Sequence, residues 1–493
     1  MRTTTEAFLG VLACLVVFLA VGCAGSEDSN PEPTQQAEVP TQPKQAAAPT
    51  QPNIIFILTD DLDAASAWQL PKLRSLLVEE GVSFENSFAS YPLCCPSRAT
   101  ILTGLYAHNH GVKGNHLPYG GFQKFRDEGH EENAVSARLQ KVGYRTGYFG
   151  KYLNDYPGDD PTHIPPGWDE WHAVAQEKTD YHEYDLNENG EVVSYEKKAK
   201  NYLPDALSDK ALEYVRGTAD NSEPFFLYLS PPVPHLPASV AKRYRNAFAE
   251  EASPRPPSFD EEDVSDKPLY IKNRPRLSTE ETLGIANLHR RRLESMLAVD
   301  EMVASLIQEL EAVGELDNTF IFFTSDNGWE QGEHRISMEK GYPYEESARV
   351  PFFVRGPGVA AGVKTDALTL NTDFAPTLAD LAGASFTGDG RSLTSILRGE
   401  EPSSWRSAVL LEGWGENVSI GLPPEYKAVR TESHKYVEYV TGERELYDLR
   451  ADPYELENVY KSADPSLIKD LKTRLDALRS CAEAGCREAE DEP

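Results

Sequence analysis

Asn53-Ile54-Ile55-Phe56-Ile57-Leu58-Thr59-Asp60-Asp61 sets the architecture of this chain. Its first seven residues form a short, β-branched apolar run without alternation, the pattern of a strand buried on both faces. A strand covered on both faces belongs to a sheet held between helices, and this one closes abruptly on two carboxylates. Far along the chain, Thr319-Phe320-Ile321-Phe322-Phe323-Thr324-Ser325 repeats the design and closes on Asp326-Asn327-Gly328. The two strands deliver four oxygen-bearing side chains at their carboxyl ends, where open α/β sheets place ligands.

Carboxylates brought together repel unless a cation lies between them. Asp60, Asp61, Asp326 and Asn327 offer only oxygen, a donor set that selects calcium or magnesium over zinc. Asp60-Asp61 alone would read as a turn or helix cap after a strand, and the second pair turns the reading toward a metal site. Two further strands end in candidate chemistry. Tyr144-Arg145-Thr146-Gly147-Tyr148-Phe149-Gly150 leads into Lys151-Tyr152-Leu153-Asn154, and Pro224-Phe225-Phe226-Leu227-Tyr228-Leu229-Ser230 leads into Pro231-Pro232-Val233-Pro234-His235.

Between these strands lies Cys94-Cys95-Pro96-Ser97-Arg98-Ala99-Thr100-Ile101-Leu102-Thr103-Gly104. Pro96 fixes φ and lacks an N–H, which suits the first turn of a helix and leaves Cys94 at its N-terminus. Free N–H groups there favour an anion, and Arg98 adds a planar charge suited to oxyanions. Adjacent cysteines would form only a strained disulfide. No further Cys or His stands nearby at zinc-ligand spacing, and Thr100 occupies the place where a Cys-x5-Arg phosphatase loop needs arginine.

The run fits Cys-x-Pro-Ser-Arg-x-x-x-Leu-Thr-Gly and so resembles the type I sulfatases. Only Cys94 has proline two residues on and arginine four residues on. The resemblance therefore makes Cys94 the cysteine that a formylglycine-generating enzyme converts to formylglycine, and Cys95 the variable position. It implies an α/β fold of the alkaline-phosphatase type, a large mixed sheet between helices followed by a smaller C-terminal antiparallel-sheet subdomain. It implies one calcium ion held by Asp60, Asp61, Asp326, Asn327 and the modified Cys94. It also carries over Arg98, Lys151, His235 and Lys340 as catalytic residues that bind sulfate or move protons. Many relatives have histidine where this chain has Leu153, which leaves His235 as the better candidate for general acid. In the implied mechanism one hydroxyl of hydrated formylglycine attacks sulfur and the sugar hydroxyl leaves; the second hydroxyl then expels sulfate and restores the aldehyde.

Tyr106-Ala107-His108-Asn109-His110-Gly111-Val112, Gly150-Lys151-Tyr152-Leu153-Asn154 and Pro165-Pro166-Gly167-Trp168 look more like the N-acetylglucosamine-6-sulfatase branch than like simple arylsulfatases. The expected substrate is then a sulfated carbohydrate, 6-O-sulfated N-acetylglucosamine, with Asn115 and Asn154 as candidate sugar contacts. Two other readings stay open. One is an arylsulfatase or a phosphate or phosphonate ester hydrolase of the same superfamily; the other is a non-catalytic glycan-binding surface protein, if Cys94 stays a thiol.

The chain carries 79 acidic against 48 basic residues, a net charge of −31. That excludes nucleic acid as an expected partner and disfavours long polyanions, so a local basic pocket must do the binding. Residues 1–22 read as a lipoprotein signal peptide, with Arg2, an apolar stretch from Phe8 to Val21 and a lipobox-like Ala20-Val21-Gly22-Cys23. Residues 23–51 read as a disordered tether. The expected location is the exterior of a bacterial cell membrane, anchored by lipid at Cys23, or else free secretion. Residues 52–389 are expected to form the catalytic domain and 390–493 the C-terminal subdomain. Cys481 and Cys486 flank a four-residue loop and could pair in an oxidising compartment. A helix is expected from about Ser278 to Val313 with Gly314 as its stop, and the acidic, proline-rich stretch Ala252 to Pro275 reads as a surface insertion. His334 reads either as a group behind the site or as a satisfied core histidine.

Overall fold

The computed structural model describes residues 51–218, 223–400, 405–415 and 423–491, without the side chains of 176–180. The signal-peptide, tether and Cys23 expectations fall outside the described residues.

Five strands form the middle of a ten-stranded mixed sheet: β1 (Asn53–Thr59), β2 (Arg145–Gly150), β3 (Phe225–Ser230), β4 (Thr319–Ser325) and β5 (Phe352–Arg355). Their spatial order is β5-β4-β1-β3-β2. β4, β1, β3 and β2 run parallel, and β5 is antiparallel to β4. Both faces of β1 are dry because successive side chains point to opposite sides. Ile55 and Ile57 meet a cluster containing Leu207, Val299 and Val303, whereas Ile54, Phe56 and Leu58 meet one containing Ile101 and Phe374. This explains why the run shows no alternation.

Four helices matter for the site: α1 (Cys94–Thr103), α2 (Leu203–Arg216), α3 (Thr279–Val313) and α4 (Glu345–Ala348). α3 starts on a capping box between Ser278 and Glu281 and stops at Gly314, whose φ of 76° admits the left-handed turn. The smaller sheet is an antiparallel meander of β6 (Ala408–Gly413), β7 (Tyr426–Thr431), β8 (His434–Tyr439) and β9 (Arg444–Asp448), with α5 (Pro465–Leu478) packed on it. The described residues make one compact unit, and Phe88, Tyr106 and Ala348 share a core with this meander.

The stretch from Ala252 to Pro275 is exposed along much of its length, as expected of a surface insertion, but Val264, Lys267 and Ile271 pin it to the core. Val264 and Ile271 are buried against Tyr342, Tyr344 and Tyr447. Lys267 is buried too, its ammonium donating to the carbonyl of Glu455 and the hydroxyl of Tyr447. Two apolar side chains and one satisfied lysine are enough to fold an otherwise polar segment inward.

Cys481 and Cys486 form a disulfide. The Cys481 carbonyl accepts from Asn109 Nδ2 at 3.0 Å and lies 3.0 Å from His108 Nε2, while His108 Nδ1 meets Glu412 Oε2 at 3.0 Å. His110 is buried; its Nδ1 accepts the Val112 N–H at 3.0 Å and its Nε2 lies 3.0 Å from Thr100 Oγ1. A second ring proton would therefore point at an N–H. Burial, then His130, lowers the His110 pKa to about 3. The unfolded imidazole binds a proton below about 6.5, so between these values the unfolded chain holds more protons. This contribution to stability is full above 6.5 and falls with pH, by about 2 kcal/mol between pH 6.5 and pH 5. His110→Gln should remove that part of the acid slope. Denaturant titrations at both pH values check it, and an unchanged wild-type-to-variant difference would refute it.

Candidate active site

The ladder between β1 and β4 pairs Thr59 with Ser325, so the next residues, Asp60 and Asp326, leave the sheet side by side. The Asp326 N–H donates to the Thr59 carbonyl at 3.1 Å and the Asp61 N–H to Asp326 Oδ1 at 3.1 Å. Asp61 turns back with φ of 71°, a left-handed conformation that Asp and Asn tolerate better than most residues. α1 enters from the side. Its first N–H groups lack a local side-chain cap, and Asn115 Oδ1 supplies one from another loop by accepting the Cys95 N–H at 3.0 Å. Ser97 Oγ donates to the Asp326 carbonyl at 2.5 Å and accepts from Asn371 Nδ2 at 3.0 Å, which fixes the helix against β4.

Cys94 Sγ thus lies 3.5 Å from Asp60 Oδ1 and 3.8 Å from Asp61 Oδ1, and it receives Lys340 Nζ at 2.9 Å. Lys340 Nζ also donates to Asp61 Oδ1 at 2.5 Å, and Lys151 Nζ to Asp60 Oδ2 at 2.5 Å. Arg98 donates to Asp326 Oδ2 at 2.8 Å, to the Lys151 carbonyl at 2.7 Å and to Ser230 Oγ at 2.8 Å. Lys151 can sit here because Gly150 packs directly on β3, where a Cβ would lie 2.0 Å from the Ser230 oxygen. His235 Nε2 stands 3.8 Å from Asp61 Oδ2, and its Nδ1 donates to the Leu236 carbonyl at 2.7 Å. His235 is partly exposed, unlike the carboxylates it faces.

Asp60, Asp61, Cys94, Asp326 and Asn327 are fully buried. Burial pushes Asp60 up, yet Lys151, His235 and Arg98 together hold it well below the usual carboxylate range. Burial and the neighbouring Asp60 push Asp326 up to about 6. Burial also raises the Cys94 thiol against the pull of Lys151 and Lys340, and a protonated thiol is a weak nucleophile. Ligand atoms of Asp60, Asp61, Cys94 and Asp326 lie within 4.8 Å of one another. Asp61 Oδ2 and Asn327 Oδ1 are buried without a hydrogen-bond partner. Converging oxygens with orphaned lone pairs fit a hard divalent cation.

The structure thus brings together Asp60, Asp61, Cys94, Arg98, Lys151, His235, Asp326, Asn327 and Lys340. Asn115 is committed through its oxygen to the helix cap, which leaves its amino group for a ligand. Asn154 Oδ1 is buried without a hydrogen-bond partner. Leu153 belongs to the core. His108, Asn109 and His110 do not line the pocket; they bind Glu412, Asp389, the Cys481 carbonyl and Thr100. Arg292 went unnoticed in the sequence. It is buried beneath the site, donating to the Asp61 carbonyl and pairing with Asp63 at 3.5 Å. Its signal was a cation on the buried stripe of α3 between Leu288 and Ser295.

Buried cations around one cysteine, beside oxygens that fit a hard cation at the carboxyl ends of parallel strands, suit a hydrolase of tetrahedral oxyanion esters. Residues 52–384 match the sulfatase family profile, and residues 332–481 match that of the N-sulphoglucosamine sulphohydrolase C-terminal region. The chain belongs to the sulfatase family and is a sulfuric ester hydrolase. It is 36% identical over 475 residues to the N-acetylglucosamine-6-sulfatase of Capra hircus, covering 88% of this chain and 85% of that one. It is 29% identical over 491 residues to the N-acetylglucosamine-6-O-sulfatase of Bacteroides thetaiotaomicron, covering 84% and 83%. A solved protein in complex with its substrate D-glucosamine-2-N,6-O-disulfate superposes with a TM-score of 0.76 at 26% identity, over 90% of this chain and 99% of that one. The large sheet between helices with a small antiparallel sheet is the alkaline-phosphatase-like fold of these structures.

Proposed function

We propose that the chain removes the 6-O-sulfate of N-acetylglucosamine or a closely related glucosamine, with residue 94 as formylglycine. The observation that carries the sulfate part is the convergence of Lys340, Lys151 and Arg98 around Cys94, where Sγ marks the place of the formylglycine oxygens. The sugar part rests on the N-acetylglucosamine-6-sulfatase relatives and on the disulfated glucosamine bound by the solved neighbour.

Each side chain then has a definable task. Lys340 and Lys151 neutralise the substrate oxygens nearest residue 94. Arg98, locked by Asp326, Ser230 and the Lys151 carbonyl, holds the carboxylate floor rigid, so little reorganisation accompanies charge development. The Leu236 carbonyl fixes the proton on His235 Nδ1, leaving the partly exposed Nε2 to carry the proton given to the leaving sugar oxygen. Asp60, Asp61, Asp326 and Asn327 would hold calcium, which when bound draws charge from the reacting oxygens. The acidic exterior, at −31 overall, favours short saccharides. A lipid anchor at Cys23 on the exterior of a bacterial cell remains part of this proposal, with the oxidised Cys481–Cys486 pair in keeping with it.

The test compares kcat/KM for 6-sulfated N-acetylglucosamine, a sulfated tetrasaccharide, an aryl sulfate and an aryl phosphate at low and moderate salt. The monosaccharide is expected to lead, and the tetrasaccharide to gain as salt screens the acidic surface. Preference for the aryl sulfate at both salts would overturn the sugar assignment, and preference for the phosphate would overturn the sulfate assignment.

A further inference from the structure

A second group of buried ligand atoms lies behind the loop that carries Asp326 and Asn327. His334, Glu346 and Glu455 each place one such atom within 4.8 Å of the other two. His334 is 0% and Glu455 1% exposed. His334 Nδ1 lies 2.7 Å from Glu261 Oε2, and Glu261 Oε1 faces Lys267 Nζ at 3.6 Å. With Glu261 ionised the ring proton sits on Nδ1, and the lone pair on Nε2 is left over. Nε2 has no hydrogen-bond partner, and neither do Glu346 Oε2 and Glu330 Oε2 close by. An acceptor nitrogen among acceptor oxygens in a dry interior is repulsive unless a proton or a metal cation joins them.

The charge count points the same way. Glu330, Glu333, Glu345, Glu346 and Glu455 crowd this region. Lys435 pairs with Glu345 at 3.0 Å and Glu455 at 2.8 Å, and Arg430 pairs with Glu345 at 3.4 Å. Among the described residues no ion pair reaches Glu330, Glu333 or Glu346.

We propose that His334, Glu346 and Glu455 form a second metal site, separate from the catalytic one, that takes a divalent transition ion, with zinc the best match. One imidazole with two carboxylates suits zinc better than calcium or magnesium, which prefer oxygen alone. The Glu261 contact is the carboxylate-to-histidine bond that orients metal-bound imidazoles and fixes their tautomer. A surface cleft of about 610 Å³, lined by Trp329, Glu333, Glu346 and Tyr454, reaches one of the three ligands, Glu346.

The role of this ion is structural. Glu455 follows β9 of the small sheet, whereas His334 and Glu346 follow β4, so one ion ties the two regions. The same segment holds the catalytic loop: the Trp329 N–H donates to the Glu346 carbonyl and the Gly328 N–H to the Ser347 carbonyl, each at 2.8 Å.

The test uses the purified full chain, loaded with zinc, gel-filtered and analysed for metals beside His334→Gln and Glu455→Gln. Wild type should retain one zinc per chain and both variants none, with calcium content unchanged in all three. Cobalt-loaded wild type should show visible d–d absorption that the variants lack. Zinc should raise the wild-type Tm by several degrees, and a zinc-selective chelator should reverse the shift. Zinc retained equally by wild type and folded variants would place it on the thiols or the surface and overturn the proposal. Should neither variant fold, the wild type decides alone: a Tm indifferent to zinc, with no cobalt absorption, would mean that protons neutralise the cluster.

Discussion

Cys94→Ala should lower kcat by on the order of 10⁵-fold, the scale of losing a covalent nucleophile, while leaving a folded, calcium-binding protein. The substituted atom is the one on which Lys340, Asp60 and Asp61 converge at 2.9, 3.5 and 3.8 Å. The helix that carries it is held by other groups, Asn115 at the Cys95 N–H and Ser97 at the Asp326 carbonyl. Cys95→Ala is the matched control. Cys95 packs in the core with Ile101 and Phe122, so its loss should cost stability of about 1 kcal/mol and spare most activity. Sulfate release, thermal unfolding and the mass of the peptide containing residue 94 check the pair. Equal loss of activity in both variants would refute the assignment of Cys94.

Asp326→Asn should abolish calcium binding and reduce kcat by roughly 10³-fold, the scale of removing an electrostatic stabiliser, with the fold preserved. Asp326→Ala should add a loss of about 3 kcal/mol, because a buried cation is left short of a partner. Arg98 is 1% exposed and pairs with Asp326 at 2.8 Å. It retains Asp60 at 3.9 Å together with Ser230 and the Lys151 carbonyl, which moderates the penalty. Metal analysis and denaturant titration separate the two effects. Full calcium content in the asparagine variant would mean that the ligands lie elsewhere.

The strands that end in chemistry were legible because burial on both faces leaves a compositional trace, an unbroken apolar run with polar residues at its end. α1 and its arginine were legible because the motif is long. Other features left no local trace. β6 was not named from the sequence, although Ala408-Val409-Leu410-Leu411 is apolar, since one short run among turns does not announce a sheet partner. Lys267 lies in the stretch read as a surface insertion, and its acceptors, the Glu455 carbonyl and the Tyr447 hydroxyl, lie nearly two hundred positions away. Asn115 was expected to contact sugar, and its oxygen also caps a helix twenty positions earlier, a contact with no local trace. Residue type reports what a side chain can bond, and only the fold reports which partner it reaches.

The in-register pairing of β1 and β4 also separates two kinds of sequence change. Asp61 and Asp326 are 265 positions apart, yet their meeting depends on the ladder alone. Loops between the strands can therefore lengthen, shorten or be exchanged with those of a relative without moving the catalytic edge. Deleting one residue inside either strand would instead turn its terminal carboxylate to the opposite face of the sheet. For engineering, the strand ends form a fixed socket into which substrate-selecting loops can be grafted, provided that strand length is never altered.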